Sequence, residues 1–142
     1  MKTVEVFTDG GCRGNPGPGG WGAVLRFGGH ERELRGSEEK TPNNRMEVLA
    51  AISALEAMTE PYVVILTTDS TYVKDGITRW IRNWKANGWK TAAKQPVKNK
   101  ELWTELDNLT NEFKIKWSWV KGHSTDALNN EVDLIAREAV NS

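Results

Sequence analysis

Four carboxylates in this 142-residue chain fall where a fold could share cations between them. Asp9 follows the strand-like run "VEVFT" and Asp69 follows "VVILTT", and the carboxyl ends of central strands are where ligands gather in open sheets. Each acid reads equally well as a strand-end or turn aspartate that caps the next helix. Glu47 comes in the first turn of the helix expected after "TPNN", beside its apolar stripe. The spacing Asn44-Arg45-Met46-Glu47 is also that of a capping box, whose glutamate serves only the helix start. Asp133 is one position past Val132 in the last expected helix, so it borders the buried face or stands as a solvated acid.

Converging carboxylates raise one another's pKa values as a coupled set unless cations hold them ionised. Oxygen donors without a Cys or His cluster suit Mg²⁺ or Mn²⁺ and not zinc. Two such ions about 4 Å apart activate a water and stabilise the leaving oxygen during in-line attack on a phosphodiester.

The elements that must gather these acids follow from hydrophobic periodicity. "TVEVFTD", "GWGAVLRF" and the return "ERELRG" read as an antiparallel meander, with His30 in the hairpin turn after Gly28-Gly29. Residues 44–59 change to helical period, with Val48, Ala51, Ile52, Leu55 and Met58 on one stripe, and Pro61 ends that helix. "YVVILTT" is apolar enough for a strand covered on both faces. Two or three short helices follow between Thr71 and Phe113, interrupted near Gly88 and Pro96. "KIKWSWV" is a further strand, and "DALNNEVDLIAREAV" closes the chain as an amphipathic helix with Leu128, Val132, Ile135, Ala136 and Ala139 on its stripe. The order βββαβαααβα predicts one α/β domain over residues 1–142: a five-stranded mixed sheet, three antiparallel strands then parallel ones, flanked by helices.

Composition is that of an ordinary globular domain, with 38% hydrophobic and 27% charged residues. No apolar run approaches the roughly 18 residues of a membrane span, no secretory signal is visible in "MKTVEVFTDG", and the single Cys12 cannot form an internal disulfide. A reducing, cytoplasmic setting is the expectation, which removes meaning from the sequon Asn108-Leu109-Thr110. A monomer is the default.

The net charge of zero hides an asymmetry: residues 74–100 hold eight Lys or Arg against Asp75 alone, and the remainder sums to −7. A basic docking face set apart from an acidic pocket suits a nucleic-acid or phosphate ligand handled through cations; the alternative is a solvated helical surface. After Asp9, six of the eleven residues from Gly10 to Gly20 are glycine. No Lys-Ser/Thr follows them, so this is not a phosphate-binding P-loop; it is a tight turn, a surface for close backbone approach to a ligand, or both.

The ordered set "FTDGGCRGNPGPGGWGAVL", "NNRMEVLAA", "TTDSTYV", "GITRWIRNWKANGWKT", "PVKNKELW" and "WVKGHS", with Asp133 ten residues after His123, resembles the bacterial type 1 ribonuclease H family over nearly the whole chain. The resemblance implies an endonuclease that hydrolyses the RNA strand of an RNA/DNA hybrid, leaving 5′-phosphate and 3′-hydroxyl ends. It implies that Asp9 bridges two Mg²⁺ ions, that Glu47 and Asp69 complete one ion's site, and that Asp133 helps hold the other, with Mn²⁺ able to substitute. His123, otherwise a surface loop residue, would assist proton transfer or product release. By the same resemblance Gly10, Cys12, Asn15, Asn43 and Asn44 line the surface that reads RNA 2′-hydroxyls, with Thr71 near it. Cys12 reads alternatively as a small buried filler.

The basic segment, about residues 80–100, is similar to the family's Trp-rich protrusion that holds the DNA strand. Trp80 and Trp84 lie four apart on one helix face, to pack on deoxyribose or into the core. Lys85, Lys90, Lys94 and Lys98 would meet phosphates, and Asn99 resembles a residue at a DNA-phosphate pocket. Pro42 stands where relatives carry a hydroxyl residue near that pocket, Asn130 replaces a glutamate, and Ala86, Asn87, Ala93 and Gln95 make the protrusion less basic. A related nuclease of the wider superfamily, a hybrid-binding module and a purely structural α/β domain are the competing readings. The retained acids and the Trp-rich segment weigh against each.

Overall fold

Alternation in the first strand sets the layers. The computed structural model describes residues 2–58, 63–91, 93–120 and 134–139. Strand β1 (Thr3–Cys12) sends Val4 and Val6 into the main core and Phe7 to the opposite face, against Val24 and Ile135. Period-2 side-chain direction thus covers the sheet on both sides. Strands β2 (Gly17–Phe27) and β3 (His30–Thr41) complete an antiparallel meander. Strands β4 (Val63–Thr68) and β5 (Lys114–Trp119) add in parallel, giving the order β3-β2-β1-β4-β5. This is the mixed sheet expected from the sequence.

Several strand boundaries differ from expectation: β2 starts at Gly17, ahead of the expected Gly20, and β3 runs on past Gly36 to Thr41. β1 does not end at Asp9; it continues to Cys12 because β2 keeps pairing with it through Gly11↔Gly20 and Cys12↔Gly19. His30 is the first residue of β3, paired with Phe27, and the turn is made by Gly28 and Gly29 at φ +52° and +83°.

Helix α1 (Asn43–Glu56) packs across β1 and β2 and beside α4 (Lys100–Glu112). Lying between sheet and helix, it buries Met46, Ala50 and Ala54 as well as the expected Val48, Ala51, Ile52 and Leu55. Each large apolar side chain buried this way stabilises by about 1.5–3 kcal/mol. The capping box does not form: the N-cap is Pro42, which has no side-chain cap, and Glu47 is the fifth helical residue, past the first turn. Pro61 lies outside the described residues.

Helix α2 (Thr71–Asp75) runs through a π-helical turn, Gly76–Trp80, into α3 (Ile81–Asn87), which stops at Gly88 in the left-handed conformation. The π turn passes over the fully buried Trp103 of α4; a Cβ on Gly76 would come within 2.0 Å of that indole. Residues 88–99 are tied by a bridge between Lys90 and Pro96 and by the Val97 N–H to Trp89 carbonyl bond of 3.1 Å. Residues 134–139 are helical and bury Ile135, Ala136 and Ala139 as the stripe predicts; Leu128 and Val132 lie outside the described residues.

One contact between α1 and α4 opposes folding above neutral pH. A hydrogen bond with Glu105, burial, and the Glu105 charge raise Glu56 to about 7 from its ordinary 4.5. Protonation therefore favours the folded state: the stability it brings is complete below about pH 4.5 and is lost as pH rises through about 7. Both acids are exposed, so screening limits the effect to about 0.5 kcal/mol. Glu56→Gln is expected to raise Tm by about 1–2 °C at pH 8 and to leave it unchanged at pH 4, as thermal melts at the two pH values will show.

Candidate active site and nucleic-acid groove

The parallel pairing of β1 with β4 ends at Thr8↔Thr68, and the next residues on the two strands are Asp9 and Asp69. Neighbouring strands run about 4.8 Å apart, so the two acids stand side by side just past the end of this parallel ladder. Asp9 stays paired on its other side with Gly22, and its Oδ1 accepts the Gly10 N–H at 2.9 Å.

Glu47 joins them because α1 crosses β1 at backbone contact. A Cβ on Gly10 would lie 2.4 Å from the Met46 carbonyl carbon and 2.7 Å from the Glu47 nitrogen. The glycine expected to face RNA thus has an intramolecular reason: only its missing side chain allows this crossing.

Both Glu47 oxygens are occupied. Oε1 accepts the Asn43 amide N–H at 3.0 Å, and Oε2 accepts a short hydrogen bond from the Ser70 hydroxyl. Ser70 Oγ also accepts the Val73 N–H at 3.1 Å, so Ser70, and not Asp69, caps α2. Burial, reinforced by the charge of Asp69, pushes the Glu47 carboxyl up against the lowering effect of Ser70 and Asn43. Asp69 opens on a cavity of about 460 Å³ shared with Thr71, Lys74 and Trp119.

Among the described residues, no three His, Cys, Asp or Glu side chains already close on one point as a metal cluster. The donors nonetheless fit a hard divalent cation. They are oxygens only, and Glu47 is raised by burial and a like charge, the condition that a bound cation reverses. His123 and Asp133 lie outside the described residues. The helix that follows Asp133 in sequence does reach this end of the sheet: Gly22, the cross-strand partner of Asp9, is where a Cβ would strike Ile135 at 2.7 Å.

A second cavity, of about 670 Å³, gathers Asn15, Pro42 and Asn44 with Tyr72, Trp80, Trp84, Lys98 and Asn99. Asn15 Oδ1 accepts the Asn43 N–H at 2.9 Å and the Cys12 thiol at 3.6 Å. Cys12 is therefore half-exposed and tied to the loop, in place of the buried filler considered from sequence. These bonds hold the Gly-rich turn against the start of α1 and leave the Asn15 amide as a donor.

Trp80 and Trp84 touch with ring centroids 5.8 Å apart. Trp84, partly buried, packs on Trp103 and Trp89 against the edge of the core, whereas Trp80 leans on Tyr72 at 5.6 Å. Lys90, Lys94 and Lys98 are exposed; Lys85 is exposed too but reaches Asp107 of α4 at 3.2 Å. Thr71 belongs to the Asp69 cavity and not to this groove. Sequence reasoning passed over Ser70 and Tyr72. A serine one residue before a helix is a capping signal that could have singled out Ser70; nothing local marks Tyr72.

The RNase H family model matches residues 1–141. The chain is 61% identical over 140 residues to a ribonuclease H of Hydrogenovibrio crunogenus, covering 99% of this chain and 97% of that protein. Among solved structures it resembles LC9-RNase H1, described as a type 1 RNase H with the type 2 active-site motif, at TM-score 0.88 and 33% identity over 99% of this chain and 73% of that one. LC11-RNase H1, solved with an RNA/DNA hybrid, shares the fold at TM-score 0.73 and 23% identity over 97% of this chain and 96% of that one. With the family model matched almost end to end and the carboxylates standing at one end of the sheet, the chain belongs to the RNase H family.

Proposed function

We propose that this chain is a single-domain, metal-dependent endonuclease that hydrolyses the RNA strand of an RNA/DNA hybrid, leaving 5′-phosphate and 3′-hydroxyl ends. The observation that carries the reading is the pair Asp9 and Asp69 emerging side by side after Thr8↔Thr68, with Glu47 held beside them by Ser70, in a chain 61% identical to a ribonuclease H.

Asp9, Glu47, Asp69 and Asp133 would hold two Mg²⁺ ions, with Mn²⁺ as substitute, and bound ions supply water activation and stabilisation of the leaving oxygen. Ser70 fixes the Glu47 carboxylate and ties it to the start of α2, the outer-shell role that orients a ligand. His123 would carry a proton or help the product leave. The groove takes the hybrid: Asn15, Asn43 and Asn44 on the RNA side, and Trp80, Trp84, Asn99 and the lysines of the protrusion at about 80–100 on the DNA side. Soft, exposed lysines give affinity without sequence preference.

Cleavage of an end-labelled hybrid beside RNA/RNA and DNA/DNA duplexes, with Mg²⁺ and with EDTA, tests the reading: metal-dependent cutting of the hybrid's RNA strand alone is expected. Asp69→Asn should lower the rate by more than the roughly 10–100-fold typical of outer-shell partners, and Ser70→Ala should fall within that range. Full activity in Asp69→Asn removes the metal assignment. Lys90→Ala and Lys98→Ala should each weaken binding to all hybrids alike and reduce the slope of log K against log salt by about 1, measured by anisotropy between low and moderate salt.

A further inference from the structure

Lys74 is a cation at the acidic end of the sheet that no carboxylate among the described residues neutralises. It is exposed and lines the cavity of about 460 Å³ onto which Asp69 opens. Asp75, its neighbour in the same cavity, turns along the helix to Arg79 at 4.0 Å instead.

The rotation of α2 sets where Lys74 points. Val73 is buried and Gly76 lies against the Trp103 indole, which leaves Lys74 and Thr71, three residues apart on one helix face, on the open side. The Lys74 N–H is bonded to the Ser70 carbonyl at 3.1 Å, so its backbone is tied to the residue that also holds Glu47. One wall of the cavity is Trp119, whose ring is stacked on Trp117 at 5.2 Å and 9°. An aromatic wall that displaces water from one side strengthens the charge interaction made beside it.

A nucleic-acid strand brought to Asp9, Glu47 and Asp69 carries a phosphate on either side of the one being cut, and bound metal ions neutralise only the groups they touch. The flanking phosphate on the Asp69 side meets an end of the sheet already rich in negative charge, and Lys74 is the cation that its cavity supplies. This cavity shares no lining residue with the aromatic groove assigned to the DNA strand. The strand that enters it is therefore the one whose phosphate reaches Asp69.

We infer that the cavity between Asp69, Lys74 and Trp119 is a subsite for the RNA nucleotide next to the scissile phosphate, with the Lys74 ammonium bound to that nucleotide's own phosphate. Thr71 offers its hydroxyl to the same nucleotide. The inference rests on the hybrid-nuclease reading for the identity of the strand.

The test measures Kd by anisotropy in EDTA, where the hybrid stays whole, and KM for cleavage with Mg²⁺. Wild type is compared with Lys74→Ala, Lys74→Arg and Lys114→Ala, the last an exposed lysine at the start of β5 and so at the other end of the sheet. In the substrate, each phosphate of the cleaved strand near the cut is replaced in turn by an uncharged methylphosphonate on a 2′-deoxy nucleotide, with 2′-deoxy alone as control, and the DNA strand is scanned likewise. Lys74→Ala should raise Kd and KM about tenfold, Lys74→Arg should recover most of that loss because the charge is kept, and Lys114→Ala should change either by about twofold at most. Wild type should lose about tenfold at one phosphate beside the cut; Lys74→Ala should lose nothing there and keep the rest of both scans. Lys74→Ala binding like wild type, equal losses in Lys74→Ala and Lys114→Ala, or a sensitive phosphate that lies in the DNA strand each overturns the inference and leaves the nuclease reading standing. Binding without any cutting by wild type removes the nuclease reading, and the Kd scan then decides by itself whether Lys74 holds that phosphate; a hybrid neither bound nor cut removes both.

Discussion

The site depends on one backbone crossing, where α1 lies directly on β1 at Gly10. Helix and strand backbones ordinarily keep a side chain between them. Here Met46 and Glu47 occupy the space a Cβ would fill, so the fifth residue of α1 stands beside the strand that bears Asp9. The parallel register of β1 and β4 supplies the other half by ending their shared ladder at Thr8↔Thr68, directly before Asp9 and Asp69. Three acids from distant parts of the sequence therefore reach one end of the sheet without any long loop having to be ordered. This low entropic cost is what precision at a site requires.

Around that crossing the polar groups are tied to each other with few loose ends. Ser70 joins Glu47 to the start of α2, Asn43 joins Glu47 to the start of α1, and Asn15 joins the glycine turn to Asn43. Arg45 continues the network, binding Glu38 of β3 at 2.8 Å and Glu101 of α4 at 3.2 Å. No buried side-chain nitrogen or oxygen among the described residues lacks a partner. The acidic end and the aromatic groove are thus parts of one connected frame. Its conspicuous imbalance is the raised Glu47 carboxyl, where burial and Asp69 outweigh two hydrogen bonds. An excess of negative charge held in place is what a divalent cation relieves.

Much of this was legible in the sequence because it rests on periodicity and turn chemistry. Val4 and Val6, the stripe of α1 and the apolar run before Asp69 place their own elements and hence the acids. What was hidden depends on contacts between distant segments. Gly10, Gly11 and Cys12 carry no strand signal and are strand only because β2 pairs with them, tertiary context overriding propensity. The capping box at Asn44 and Glu47 was a plausible local reading that failed because the N-cap lies two residues earlier, at Pro42, leaving Glu47 free to meet Ser70. The pairing of Lys85 with Asp107 and of Tyr72 with Trp103 joins residues more than twenty positions apart, and no local pattern announces either.

The central claim is that Asp9, Glu47 and Asp69 form one cation site, and side-chain carboxyl ¹³C NMR during a Mg²⁺ titration tests it most directly. The account predicts that the three resonances shift along a common isotherm and that the Glu47 midpoint, above the ordinary glutamate range without metal, moves down when Mg²⁺ is present. Resonances that stay still, or a Glu47 midpoint indifferent to Mg²⁺, would contradict it.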